Sequence, residues 1–537
     1  MKTLALIALI AACSPDRGPR WREAGATTPR AGGTLRIASQ TAITTLDPAV
    51  AYDETSIAAI HMMVDGLVGY AVDSTAVEPR LAERWDISPD GLTYRFTLRA
   101  GLTYADGKRI VARDFERALE RALAMKDSPY GSHLAGVAGA QAVLEGKTTD
   151  CTGIVTIDDR TLELRLTAPN AAMLYELAMP FAAPLTEESL AGAPLRRGPL
   201  PSGPYELVEW DEGRRIELVR RAHYHDPTRQ RIERIVLLEN VPRDLQFMMF
   251  ERGELDAAER LTASDLRWIQ QQPAWAPHLK TRALMNAFGS RMNVREKPFD
   301  DKRVRQAMNY AVDKQRIVKL LTGTAVSSHG VLAPGAFGRD DTIAPYPHDP
   351  AKARALLAEA GYPDGFSLDY MTLADEEAEK LAVSLKADLA AVGIDMSITQ
   401  VTFSAFADAI SKPTGPKFSI VTWVGDFPDP LSLLDPLFHS RYIAEENATN
   451  FSFFKNTELD GILDAARGET DLAKRAALYK RAERILYDEA PWIWGYHQLM
   501  TEVTHPYVRG YQPHPIWVRD YTPAWLDLGA DGERVER

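Results

Sequence analysis

One acid in this chain stands where it can hold a positively charged ligand. Asp426 lies in the run Trp423-Val424-Gly425-Asp426-Phe427-Pro428-Asp429-Pro430, beside a large aromatic ring and on a backbone that one glycine and two prolines turn tightly. An ammonium group taken out of water needs an ionised carboxylate within hydrogen-bonding reach, and a single carboxylate makes a charge-assisted pair with a compact amine. Just upstream, residues 418–422 read as a buried strand. Gly425 and the prolines stop that strand, which frees its last amides and carbonyls for a partner such as an extended peptide. The alternative is a loop in which Asp426 only caps a turn. Asp429, between the prolines, is read as shaping the loop.

Other groupings offer less. His223-Tyr224-His225 would put two imidazoles on one side of a strand and begin a metal site, but it lacks evident further ligands, so no metal is expected. Asp426 with Asp429 is not a glycosidase pair on sequence grounds, because spacing along the chain does not set the separation such catalysis needs. There is no Walker-type glycine loop and no Gly-x-Ser-x-Gly elbow. The chain is therefore read as a binding protein, not an enzyme, with no cofactor. Trp492, Trp494 and Tyr496 read as core.

The N-terminus carries an address. Lys2 supplies a positive start, residues 3–10 an apolar stretch, and Ile10-Ala11-Ala12 puts small residues before Cys13. This resembles a bacterial lipobox, so residues 1–12 are read as a signal peptide and Cys13 as the lipidated first residue of the mature chain. The apolar stretch is too short to span a bilayer, which takes roughly 20 residues. Residues 13–32, rich in Pro, Arg, Gly and Thr after the cysteine, are read as a flexible tether. The expected place is extracytoplasmic, in the periplasm or at the cell surface, with lipid as the only link to the membrane. With 62 Lys+Arg against 74 Asp+Glu, the net charge of −12 argues against a nucleic-acid surface. If Cys13 is lipidated, Cys151 has no disulfide partner and the fold rests on its apolar core.

Several elements must position the acid. Residues 34–39 alternate as a strand, and an apolar helix pattern runs over residues 57–67. Trp85 and Ile87, the turn Ser88-Pro89-Asp90-Gly91, then Leu92, Tyr94, Phe96 and Leu98 form a hairpin with one buried face. A helix over 114–124 and strands at 161–167, 216–219 and 232–238 follow. The second half is mixed. Asp300 or Asp301 caps a helix reaching from Val304 to Leu321 with Asp313 in its middle, and Asp349, Pro350 and Gly361 bracket another. Strands near 367–371, 395–401 and 418–422 make a sheet between such helices. The class is α/β, mixed α+β, and two lobes with a cleft follow.

Over nearly all its length the chain resembles the extracytoplasmic solute-binding proteins of peptide ABC importers, solute-binding protein family 5. The motifs that carry the resemblance are Gly33-Thr34-Leu35-Arg36, Leu46-Asp47-Pro48, Pro79-Arg80-Leu81-Ala82-Glu83-Arg84-Trp85, Ser202-Gly203-Pro204-Tyr205, Gly253-Glu254-Leu255-Asp256 and Pro298-Phe299-Asp300-Asp301, in order. The resemblance implies a bilobal periplasmic-binding-protein-like fold with an extra lobe inserted beside the first. Lobe I would comprise residues 33–64, 185–285 and 496–537, lobe II residues 65–184, and lobe III residues 286–495. It further implies that Asp426 receives a peptide's α-amino group, that backbone groups of Thr422, Trp423, Val424 and Gly425 pair with the peptide main chain, that backbone groups at Tyr52, Asp53 and Glu54 face an extended ligand, and that Tyr130 lines the pocket. For Tyr52 to Glu54 an ordinary turn, and for Tyr130 a packed aromatic, remain the alternatives.

One position departs from the pattern: some peptide-binding members have an arginine three residues before the Trp to take a short peptide's carboxylate, and here that residue is Ile420. The implied function is capture of a peptide by a monomeric lipoprotein and its delivery to permease and ATPase subunits. The alternatives are a receptor for a non-peptide solute, a sensory or chaperone-like peptide binder, and a secreted hydrolase.

Overall fold

The computed structural model describes residues 18–72, 74–191, 195–516 and 519–537. The expected signal peptide and Cys13 lie outside them.

Three sheets organise the chain. In the first, Thr34–Ala38 runs parallel to Arg234–Leu238, followed by Arg215–Arg220 and Tyr205–Asp211 in antiparallel order. In the second, Ala82–Ile87, Thr93–Leu98, Thr161–Arg165 and Ile154–Asp158 are all antiparallel. The hairpin forms as the alternation requires: Tyr94, Phe96 and Leu98 are buried, while Arg95 between them is exposed.

The third and largest sheet has Trp492–Thr504 at its centre of pairing. Ala257–Glu259 and Leu279–Ala283 pair with the end of this long strand, and Asn286–Met292 and Ala325–Ser327 with its beginning and middle. One continuous strand thus crosses residue 496 and ties the chain segments on either side of it. Beyond Asn286–Met292 come Phe418–Val424, Phe366–Leu373 and Ile394–Val401. The indoles of Trp492 and Trp494 are buried in the core of this region, as read from sequence.

Two expectations need correction. The helix read across 304–321 is two helices, Lys302–Ala311 and Lys314–Leu320. Val312 is extended, and Asp313 caps the second helix by accepting from the Arg316 amide at 3.0 Å. A short acid that satisfies an orphan N–H is worth more at a helix start than in its middle.

The second correction concerns the tether, which from residue 18 on is docked. Trp21–Arg22 pairs with Val535–Glu536, the Gly25 amide donates to Asp527 Oδ2 at 3.0 Å, and the Gly32 amide donates to the Arg231 carbonyl at 2.8 Å. One aromatic adds to these bonds: Trp21 lies so close over Gly253 that a Cβ there would sit 2.3 Å from Nε1, and the Arg534 guanidinium lies 5.6 Å from its ring. Low average apolar content concealed that anchor.

Candidate ligand-binding site

The strand Phe418–Val424 extends two residues further than expected, so Trp423 and Val424 belong to the sheet. Thr422, Trp423 and Val424 pair with Phe288, Ala287 and Asn286. On its other edge the strand meets Phe366–Leu373 only at Phe418 and Ser419. From Ile420 to Val424, no strand among the described residues covers that edge. Such an edge presents main-chain donors and acceptors to an extended partner. Gly425 is an exception to the expected free backbone, because its N–H donates to the Met285 carbonyl at 2.7 Å. The glycine is required by that approach: a Cβ would sit 2.8 Å from Ser432 Oγ.

Asp426 follows at the strand's end. The Tyr52 hydroxyl donates to its Oδ1 at 2.5 Å, and His133 Nε2 stands 3.9 Å from its Oδ2. Burial first, and the Asp426 charge second, push the Tyr52 phenol well above its ordinary value, so it stays a proton donor. The next residue, Phe427, packs into the apolar cluster formed mainly by residues 67–182, as does Leu431. The acid is thereby held against the opposite wall by an aromatic side chain on its own loop.

Asp429 has the structural part read for it. It is fully buried, it meets Arg475 Nη1 and Nη2 at 2.8 Å each, and it accepts from the Leu431 amide at 3.0 Å and from the Tyr479 hydroxyl at 3.2 Å. Trp423 is fixed by its Nε1–H donating to the Ser432 carbonyl at 3.0 Å.

The opposite wall differs from expectation in how its residues point. Tyr52, 58 % exposed as a residue, contributes its side chain by turning the hydroxyl inward to Asp426. Asp53 is the N-cap of the helix Glu54–Met63, accepting from the Ser56 amide at 2.8 Å and the Thr44 hydroxyl at 2.6 Å, and its carbonyl accepts from the Ile57 amide. The Glu54 carboxylate pairs with Arg260. Both acidic side chains are therefore engaged away from Asp426.

Tyr130 requires a correction as a lining residue: it is 1 % exposed, its hydroxyl donates to the Ala51 carbonyl at 2.5 Å, and its ring stacks on Phe181 at 4.9 Å. A tyrosine with its one proton donated and its ring covered acts as a support, here for the Tyr52 ring 5.9 Å away.

Sequence reasoning missed His133 and Glu176. His133 lies in the 3-10 turn Gly131–Leu134, three residues after Tyr130, where that helix type brings side chains into line. Its ring packs against Phe181 and Phe427, and its Nδ1 stands 3.9 Å from Glu176 Oε1. Burial works against the imidazolium, but Glu176 and then Asp426 outweigh it and hold the group above its ordinary value. The i, i+3 spacing was the available signal.

His223 and His225 lie on bent backbone, not on a strand, and line a recess of about 290 Å³ with Tyr224. Among the described residues there is no group of three or more potential metal ligands.

Separate sheets and cores meeting at a cleft, with one carboxylate beside an uncovered strand edge, define a two-lobed solute-binding protein. The comparisons agree in extent as well as kind. The family description "Bacterial extracellular solute-binding proteins, family 5 Middle" matches residues 76–445, and the chain belongs to that family.

Heme-binding protein A of Haemophilus influenzae is 31% identical over 491 residues, covering 87% of this chain and 88% of that protein. The dipeptide-binding protein of Escherichia coli is 29% identical over 486 residues, covering 87% and 88%. Among solved structures, the ABC transporter-associated periplasmic binding protein DppA of Helicobacter pylori, in complex with the peptide STSA, superposes with a TM-score of 0.75. It is 25% identical and covers 93% of this chain and 99% of that one. No described helix is long and apolar enough to cross a membrane.

Proposed function

We propose that this protein captures peptides with a free α-amino group between its lobes and delivers them to the permease and ATPase subunits of an ABC importer. The observation that carries the reading is the position of Asp426, at the end of a strand whose edge is uncovered from Ile420 to Val424 and whose register fixes the carboxylate against the facing wall. Asp426 takes the ammonium, the main chain at Thr422 to Val424 takes the first peptide units, Trp423 and Gly425 shape the end of the strand, and Tyr52 faces them. Tyr130, Asp53 and Glu54 hold the Tyr52 wall in place. Main-chain pairing gives affinity without reading side chains, so one site serves many sequences.

The protein acts as a monomer outside the cytoplasm, held to a membrane by acyl chains on Cys13 after removal of residues 1–12. The lobes are 33–64 with 185–285 and 496–537, then 65–184, then 286–495. Ligand closes them only by as much as it binds the closed arrangement better, and the permease reads that shape.

A second reading, a non-peptide solute in the same cleft, is favoured by the name of the Haemophilus influenzae relative and by Ile420 in place of an arginine for a peptide carboxylate. Native mass spectrometry of protein purified without added ligand separates the two. Co-eluting peptides support the first reading, and a single non-peptide species overturns it.

A further inference from the structure

Three chain segments converge on one carboxylate: Tyr52 before the helix Glu54–Met63, His133 in the turn Gly131–Leu134, and Asp426 after the strand Phe418–Val424. We propose that His133 is the specificity-determining residue of this site. As an imidazolium it supplies Asp426 with an internal counter-charge and weakens the preference for an ammonium ligand. As a neutral ring it leaves the carboxylate to demand one. This rests on the reading of Asp426 as the amine site.

Asp426 Oδ1 is engaged by the Tyr52 hydroxyl at 2.5 Å, and Oδ2 faces His133 Nε2 at 3.9 Å, so a ligand cation and the imidazolium compete for one oxygen. The ring cannot simply turn to water. It is clamped by Phe181 and Phe427, with centroids at 6.2 and 5.7 Å, and its side chain is 12 % exposed.

The charged and titratable groups facing it are few. Glu176 lies on the helix Met173–Leu177 at 3.9 Å from Nδ1, and its own Oε2 accepts from Asn170 Nδ2 at 2.9 Å. Arg467, paired with Asp435, also feels the charge of Glu176. Tyr130 is on the same turn, with Tyr52 beyond it, and Tyr70 senses both Glu176 and Asp426. Glu176 keeps a protonated His133 in place, and Asp426 is the only one of these acids beside the uncovered strand edge.

The exchange balances in protons. Binding of a ligand ammonium to Asp426 repels the imidazolium, and His133 Nε2 gives its proton to solvent. Below the His133 midpoint, affinity for a free-amine peptide therefore falls by up to about tenfold per pH unit. Between pH 7.0 and 5.5 a peptide α-amino group stays charged, since its own midpoint is about 7.7–8.0. An N-acetylated peptide shows no such fall.

The test has two arms. In ligand-stripped protein carrying isotope-labelled histidine, NMR follows the His133 midpoint in wild type and in Asp426→Asn. A lower midpoint in the variant supports the pair whether or not peptides bind, and an unmoved midpoint overturns it. In the second arm, calorimetry of alanyl-alanine and its N-acetyl form is run at pH 7.0 and 5.5 on wild type and His133→Gln. Loss of the pH dependence in His133→Gln supports the assignment, and an unchanged slope contradicts it. Absence of binding by either peptide at both pH values would fault the peptide reading while leaving the NMR result to judge the pair.

Discussion

Tyr52 and Asp426 are 374 residues apart in sequence, and their side chains are joined by a 2.5 Å hydrogen bond across the cleft. The donor is the inward-turned hydroxyl of a tyrosine on one wall and the acceptor follows a strand of the largest sheet on the other, so this bond links the two walls directly.

Tyr52→Phe removes that link while keeping the ring that packs beside Tyr130. A hydrogen bond to a carboxylate at a partly exposed site contributes about 1 kcal/mol, so the variant shifts the ligand-stripped protein roughly fivefold toward open forms. Small-angle scattering reads the change as a larger radius of gyration. Identical scattering from the two proteins would mean the bond does not hold the walls.

Arg475→Ala strands Asp429 in the interior without its counter-charge. Breaking a buried pair in this way costs about 3–5 kcal/mol. The denaturation midpoint should fall accordingly, and because Asp429 fixes the loop that carries Asp426, amine binding should weaken too. A variant as stable as wild type would show that Tyr479 and the Leu431 amide suffice.

His497 is buried with Nδ1 against the Asn286 carbonyl, and burial pushes its pKa down to about 4. The unfolded chain takes up this proton near 6.5 and the folded chain only near 4, so acidification through that window costs stability, by about 1.4 kcal/mol per pH unit. Glu259, pushed up to about 7 by burial, acts in the opposite sense between roughly 4.5 and 7. The difference between wild type and His497→Gln therefore isolates the histidine. Thermal melts from pH 7 to 4 should show a shallower decline in the variant, and parallel curves would remove His497 from the account.

Cys13→Ala should release the protein from membranes into the soluble fraction. Each buried methylene of an acyl chain contributes about 0.8 kcal/mol, and no described helix is long and apolar enough to cross a membrane. Continued sedimentation of the variant with membranes would refute the lipidation reading.

Much of this was legible in the sequence where a local signal and the tertiary outcome agree. Asp349 and Pro350 start a helix, Gly361 adopts φ +93° just after it, and the alternation of Tyr94, Phe96 and Leu98 sets a buried face. The place of Asp426 just past a strand end was legible because an acid after a strand ended by glycine is a local pattern. Tyr52 was reached only through the family resemblance, and for its backbone, not its hydroxyl; His133 had only its i, i+3 spacing from Tyr130 and Glu176 had no local pattern. Their meeting depends on which lobe faces which, and that is fixed by long-range contacts such as Phe427 in a core built from residues more than 200 positions earlier. The docking of residues 18–32 was hidden for the same reason, since its partners, Gly253, Asp527 and Val535–Glu536, lie more than 200 positions away. Composition pointed the other way.

Whether Asp426 receives a ligand's ammonium group is tested most directly by titration calorimetry at pH 7.0 with a free-amine peptide and its N-acetylated form. On wild type the free-amine peptide should bind more tightly. On Asp426→Asn it should lose about 10- to 100-fold in affinity, the worth of a charge-assisted hydrogen bond, while the acetylated form changes little. Equal affinity of the two peptides for wild type, or equal losses on the variant, would contradict the assignment.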